Sequence, residues 1–190
     1  MYTAVRIEKQ SALKLVGFAY ETFPRETMGR VYGTVWEKRT GDRFIVEDAI
    51  ADQVAERYPS TVIVSEDCSN RLKFIVGEGI GGFHSHTPPP QKNGKKMYAV
   101  AGMSKSDERK LQEEYSDGIE IIVAINRLWR RVPLRLRNDD SCLTGCFVDN
   151  SNVYNFDISA HYLEHFQNGN TRTRRARLSV PVRELRQYFV

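Results

Sequence analysis

The stretch Ile119-Glu-Ile-Ile-Val-Ala-Ile-Asn126 constrains the fold more than any other part of this 190-residue chain. It is apolar at both alternating sets of positions and rich in β-branched residues, the pattern of a strand buried on both faces. A strand of that kind needs a cover on each side, and two segments read as helices. Ser11 to Phe23 carries apolar residues at helical intervals until Pro24 breaks it, and Ser104 to Tyr115 has helical propensity behind a good cap. The expectation is an α/β fold, a mixed β-sheet flanked by helices.

The remaining elements fit around that strand. Residues 2 to 8 alternate as a strand does, and Met28 to Glu37 pairs with Arg43 to Ile50 through a turn at Thr40-Gly41-Asp42. Thr61 to Val64 is β-branched, whereas Asn70 to Val76 reads as either helix or strand. Ile80 to His86 reads as a buried strand, followed by a long Pro- and Lys-rich loop over residues 87–103. Arg131 to Arg137 and Cys142 to Asp149 add two strands. From residue 151 the pattern changes to a short helix near Ser159 to Gln167, a polar stretch and an amphipathic end. The expected division is a catalytic domain over 1–150 and a C-terminal extension over 151–190 packed on or beside it.

The chemistry concentrates at four separated points. In a strand, residues i and i+2 share a face, so His84 and His86 present two imidazoles side by side, a pair suited to a metal ion. A catalytic zinc takes a third protein ligand, often a carboxylate, and Asp107 in the first turn of the next helix is placed to supply it. Glu26 is the candidate general acid and base, and the Ser104 hydroxyl is the candidate donor to a developing oxyanion. Ser104 and Asp107 fit a helix capping box equally well, and the two readings are compatible.

Glu26 in Glu-Thr-Met-Gly-Arg-Val-Tyr-Gly, the triplet His84-Ser-His86 after Gly-Gly-Phe, and Ser104-Lys-Ser-Asp107 together resemble the JAMM (MPN-plus) zinc metalloprotease signature. The resemblance covers residues 1–150 and implies a JAMM/MPN domain akin to cytidine deaminases. It also implies zinc on His84, His86 and Asp107, with Glu26 and Ser104 catalytic. The implied activity is hydrolysis of isopeptide or peptide bonds, with a ubiquitin-like or sulfur-carrier protein as substrate, processed at its Gly-Gly tail. The chain departs from the family in its enlarged loop 87–103, which reads as a lid or substrate-binding flap.

Other readings compete. His161-Tyr-Leu-Glu-His165 matches H-x-x-E-H, which on a helix would put both histidines on one face, but little chain follows it to complete a site. A peptidase for small peptides and a non-catalytic binding module are the functional alternatives. The net charge is +4, with arginines in two runs, Arg127 to Arg137 and Arg172 to Arg177. The second run has no interleaved stacking aromatics, which argues against a nucleic-acid partner. No apolar run approaches the roughly 20 residues of a membrane span. With no signal-peptide pattern and three cysteines (Cys68, Cys142, Cys146) lacking CxxC spacing, the expected location is the cytoplasm.

Overall fold

The computed structural model of the chain describes residues 3–36, 43–52, 56–58, 61–63, 74, 76–89, 97–114, 117–128 and 135–189. The expected turn at Thr40 to Asp42, most of Asn70 to Val76, residues 90–96 of the long loop, Arg131 and Cys68 lie outside them. The strands are β1 (Ala4–Ile7), β2 (Met28–Trp36), β3 (Arg43–Ala51), β4 (Glu56–Tyr58), β5 (Thr61–Ile63), β6 (Gly81–His86), β7 (Ile119–Leu128), β8 (Arg137–Asn138), β9 (Cys142–Asp149), β10 (Asn152–His165), β11 (Thr171–Arg175) and β12 (Arg177–Ser179). The helices are α1 (Lys9–Thr22), α2 (Lys105–Glu114) and the short α3 (Val182–Leu185).

Ten strands form one sheet in the order β12-β1-β3-β2-β6-β7-β10-β9-β8, with β11 paired to β10 and with β4 and β5 forming a separate ribbon. The pairs β1/β12, β1/β3 and β6/β7 are parallel, and the others antiparallel. The two ends of the sheet come together. The Leu178 amide on β12 donates to the Asp140 carbonyl at 2.6 Å, and Asn138 on β8 donates through Nδ2 to the Leu178 carbonyl at 2.9 Å. The sheet is thereby a nearly closed, barrel-like surface.

This corrects the expected α/β fold, a mixed sheet flanked by helices of the JAMM/MPN kind. The chain is mostly β-strand, and its sheet curls until its edges meet instead of lying flat between helical layers. The segment near Ser159 to Gln167, expected to be helical, belongs to the 14-residue strand β10. Its two-residue period is plain from Tyr154 to Tyr162, with Tyr154, Phe156, Ile158 and Ala160 in the core, and the polar Ser159 and His161 of the other face are buried as well. Residues 152–165 lie between β7 and β9 in the middle of the sheet, so a division at residue 150 runs through one continuous hydrogen-bonded surface.

The concave face holds the core. α1 lays Ala12, Leu15, Val16 and Ala19 against Val5, Ile7, Phe44, Val46, Ile119, Ile121 and Val123. Tyr154, Phe156 and Phe147 continue the core toward Phe189, whose ring lies 4.7 Å from that of Phe156 in an edge-on contact. Each large side chain fully removed from water there contributes about 1.5–3 kcal/mol before its ordering entropy is charged.

The central strand β7 is buried on both faces, as its sequence indicates. Ile121, Val123 and Ile125 meet the core, whereas Ile122 and Ala124 face outward under Ala99, Ala101 and Met103. On that outer side α2 contributes a single buried residue, Leu111. No helix among the described residues is long and apolar enough to cross a membrane.

Candidate metal centre

Parallel pairing of β6 with β7 sets His84 beside Ile122 and Gly82 beside Glu120. His84, His86 and Glu120 therefore project from the outer face of the sheet, on the side that α2 covers. His84 Nε2 lies 3.0 Å from His86 Nε2. Asp107, at the start of α2, brings Oδ1 to 3.5 Å from His84 Nε2 and Oδ2 to 3.5 Å from His86 Nε2. These three side chains can hold a metal ion, since each offers a ligand atom within 4.8 Å of the others.

The start of α2 shows how one residue serves two purposes. The Ser104 amide donates to Asp107 Oδ2 at 2.8 Å, and the Asp107 amide donates to Ser104 Oγ at 3.2 Å. That reciprocal pair is a capping box with aspartate in the glutamate position. It fixes the carboxylate while leaving it turned to both histidines. Both histidines, surrounded by their hydrogen bonds and charges, hold the Asp107 carboxyl far below the usual carboxylate range despite the opposing effect of burial.

Each imidazole is also held from behind. Glu120 Oε1 lies 2.5 Å from His84 Nδ1, and the Val100 carbonyl lies 3.0 Å from His86 Nδ1. Both acceptors favour the tautomer that carries its proton on Nδ1 and leaves Nε2 for the shared point between the ligands. Burial lowers the pKa of His84, but its bonds to Asp107 and Glu120 outweigh this and raise it from 6.5 to about 9.

Glu26, immediately before β2, lines the same cavity of 540 Å³ as His84, His86, Ser104 and Asp107. Burial raises its pKa, against the lowering effect of the two histidines. Ser85, between the histidines, points to the opposite face. Its Oγ accepts the Thr27 amide at 2.9 Å, and its own amide donates to the Thr27 carbonyl at 2.8 Å. The middle residue of the triplet thus locks the backbone beside Glu26 to the strand that carries the ligands. All five residues singled out from the sequence meet in one place.

Residues that sequence reasoning passed over complete the arrangement. Glu120 carried a signal, a charged residue inside an otherwise apolar strand. Asn126 had a fainter one at the end of the same strand. It is buried and clamps Ala99 on both sides, accepting its amide at 2.8 Å and donating to its carbonyl at 3.0 Å. The Ala101 carbonyl accepts Ser159 Oγ at 2.7 Å and Arg175 Nη2 at 2.6 Å, contacts that span 58 and 74 positions and leave no local trace. Together these bonds pin the segment that delivers Val100 to His86 and leads into Ser104.

The competing motif disperses. His161 is buried in β10 with Nε2 2.9 Å from Ser159 Oγ, and burial, helped by the charges of Arg175 and His84, lowers its pKa to about 4. His165 is exposed at the strand end, 3.8 Å from Asp117, and Glu164 pairs with Arg174 at 2.7 Å. Four residues apart on a strand, the two histidines are separated by about 13 Å. Cys142 is a free thiol.

No family model matches the chain, and no curated protein does. Among solved structures it is similar to protein DSY2949 from Desulfitobacterium hafniense, determined in solution. The two are 16% identical, with 93% of this chain and 92% of that chain covered and a TM-score of 0.48, a likeness too distant to carry an argument.

Proposed function

We propose that this chain is a zinc-dependent metalloprotease that uses the residue set of the JAMM signature on the β-rich fold described above. One observation carries the reading. Zinc bonds to nitrogen and oxygen of about 2.0–2.1 Å at tetrahedral angles require ligand atoms roughly 3.3 Å apart. His84 Nε2 and His86 Nε2 are 3.0 Å apart, and Asp107 turns Oδ1 to the first and Oδ2 to the second at 3.5 Å each. One ligand atom from each residue lies within 4.8 Å of the others, so small side-chain shifts bring all three to that spacing. A nitrogen–nitrogen–carboxylate set with a cavity in front of it favours zinc over the hard cations, which prefer all-oxygen sites.

Zinc bound there supplies Lewis acidity, acidifying water and polarising an amide carbonyl. The protein supplies the proton traffic and the positioning. Glu26, with its pKa raised by burial, takes a proton from the attacking water and returns one to the departing amine. The Ser104 hydroxyl stands at the cavity wall, where it can donate to the oxygen of the carbonyl under attack. Asp107 and Glu120 keep the imidazoles fixed while charge develops.

The cavity opens beside Tyr98 and Val100, both exposed, with Met97 exposed next to them. An apolar lip of this kind favours a peptide chain over a small polar molecule. The substrate we assign is a protein-linked amide, an isopeptide or peptide bond at the extended tail of a ubiquitin-like or sulfur-carrier protein. The test compares wild type with His86→Ala for zinc content and for cleavage of an isopeptide-linked conjugate. About one zinc per chain, lost together with activity in the variant, is expected. Equal zinc in both proteins would overturn the assignment, and a short peptide cleaved better than the conjugate would move the activity to small-peptide hydrolysis.

A further inference from the structure

A second group of side chains, remote in sequence from the metal ligands, is assembled by strand register. Trp36 on β2 lies opposite Arg43 on β3, Arg43 beside Ala4 on β1, and Ala4 beside Arg177 on β12. These four residues form one row across four strands. The neighbouring positions Val5, Phe44 and Leu178 are buried in the core, so the row lies on the outer face. Trp36 is 55% exposed, a large apolar side chain left in water.

At the centre of the row stands the smallest side chain, Ala4, with an arginine on either side. Two strand spacings put the Cα atoms of Arg43 and Arg177 roughly 10 Å apart. Both line a cavity of 340 Å³, together with Ala4, Arg6, Asn138, Ser179 and one carboxylate, Asp140. The charge there is only lightly balanced. Arg177 pairs with Asp140 at 3.5 Å with both side chains mostly exposed, Arg6 pairs with Glu8 at 2.9 Å, and Arg43 has no carboxylate partner among the described residues.

We propose that this face binds a nucleoside phosphate, the phosphate over Ala4 between Arg43 and Arg177 and the base stacked on Trp36. Planar guanidinium groups match phosphate oxygens in a forked geometry that an ammonium cannot reproduce. An exposed indole one strand away offers a stacking platform open to any base. The chain's second arginine run lacks aromatics of its own, but register supplies one from β2, 141 positions before Arg177 in the sequence. The same chemistry is offered by a free nucleotide and by a single strand of nucleic acid.

The experiment titrates ADP, inorganic phosphate and a short oligo(dT) while following the fluorescence of Trp36 in a Trp129→Phe background. Saturable quenching by ADP, weakened about tenfold or more in Arg43→Gln/Arg177→Gln, is expected. Trp36→Ala, followed by calorimetry, should bind ADP no better than phosphate. Oligo(dT) binding tighter than ADP, with a steep salt dependence, identifies a strand as the source, whereas equal or weaker binding identifies a free nucleotide. Trp36, Arg43 and Arg177 are exposed, and unchanged melting temperatures would show that the variants fold. Absence of saturable binding by both ADP and oligo(dT), a double variant that binds as wild type does, or wild-type protein that binds phosphate as well as ADP would each overturn the proposal. Zinc content and amide hydrolysis should be unaffected by these substitutions, which keeps this site's failure separate from that of the metal centre.

Discussion

Glu120 and His84 are joined by a 2.5 Å hydrogen bond through Nδ1, which directs the other ring nitrogen of His84 toward His86 and Asp107. A carboxylate behind a metal-ligating imidazole orients the ring and raises its basicity, and loss of such a partner typically costs 10–100-fold in metal affinity. Glu120→Gln should therefore weaken zinc binding by about tenfold and Glu120→Ala by up to about a hundredfold. Competition against a chromophoric chelator measures both. Unchanged affinity in the alanine variant would mean that Glu120 serves only to balance charge in the sheet.

The raised pKa of His84 makes metal binding a proton-coupled event. Its value of about 9 means that the ring of the metal-free protein is protonated at neutral pH. A cation taking Nε2 must expel that proton. Apparent zinc affinity should rise about tenfold per pH unit as far as this group is concerned, and level off above about pH 9. Calorimetry at pH 7 in buffers of different ionisation enthalpy should register the release of a proton.

The same shift fixes the sign of a stability change. A histidine whose folded pKa is raised stabilises the fold fully below its unfolded value of 6.5, and that stabilisation is lost as pH rises through about 9. Asp107 has a lowered folded value, so its contribution is present above the unfolded carboxylate range and is lost on acidification. The melting temperature of metal-free protein should thus fall between pH 6.5 and 9, and the fall should be smaller in His84→Ala. An identical decline in both proteins would assign it to another group.

Glu26→Gln separates holding the metal from using it. Glu26 lines the cavity without belonging to the ligand group, so the variant should keep its zinc while hydrolysis drops by about 10²–10⁴-fold, the usual worth of a general acid or base. Full activity with full zinc would remove Glu26 from the mechanism.

The residues that meet at the candidate metal site were legible because their chemistry is unusual at those positions. Two histidines two apart on a strand, and an aspartate three residues after a serine at a helix start, are local patterns. Glu120 was visible as a charge in an apolar strand, and the doubly buried character of β7 followed directly from its composition. The architecture was harder to read. β10 does alternate over Tyr154, Asn155, Phe156, Asp157, Ile158, Ser159, Ala160, His161 and Tyr162, but toward its end the period breaks and the spacing of Ala160, Leu163 and Phe166 imitates a helix. The correcting signal was Asn168-Gly169, a hairpin dipeptide. Gly169 has φ +79°, and the Phe166 amide meets the Asn170 carbonyl at 2.9 Å where β10 turns into β11. Contacts that close the sheet, such as Asn138 to Leu178, join residues 40 apart and depend on the accumulated curl of ten strands, which no local pattern encodes.

Gly29 shows how the fold limits substitution next to the site. It lies in β2 between β3 and β6, one residue from Met28, which is in register with His84. A Cβ at this position would stand 2.1 Å from the Ile50 carbonyl oxygen and 2.6 Å from the Phe83 ring. The oxygen belongs to the backbone and cannot yield without moving β3. Gly29→Ala should therefore destabilise the protein by about 3 kcal/mol, at the upper end of ordinary overpacking, and displace Met28 from the cavity wall. Urea denaturation of the zinc-free variant reads the stability directly. A loss below about 0.5 kcal/mol, the range of a neutral surface change, would show that β2 and β3 can separate here and that the spacing of the ligand strand does not depend on this contact.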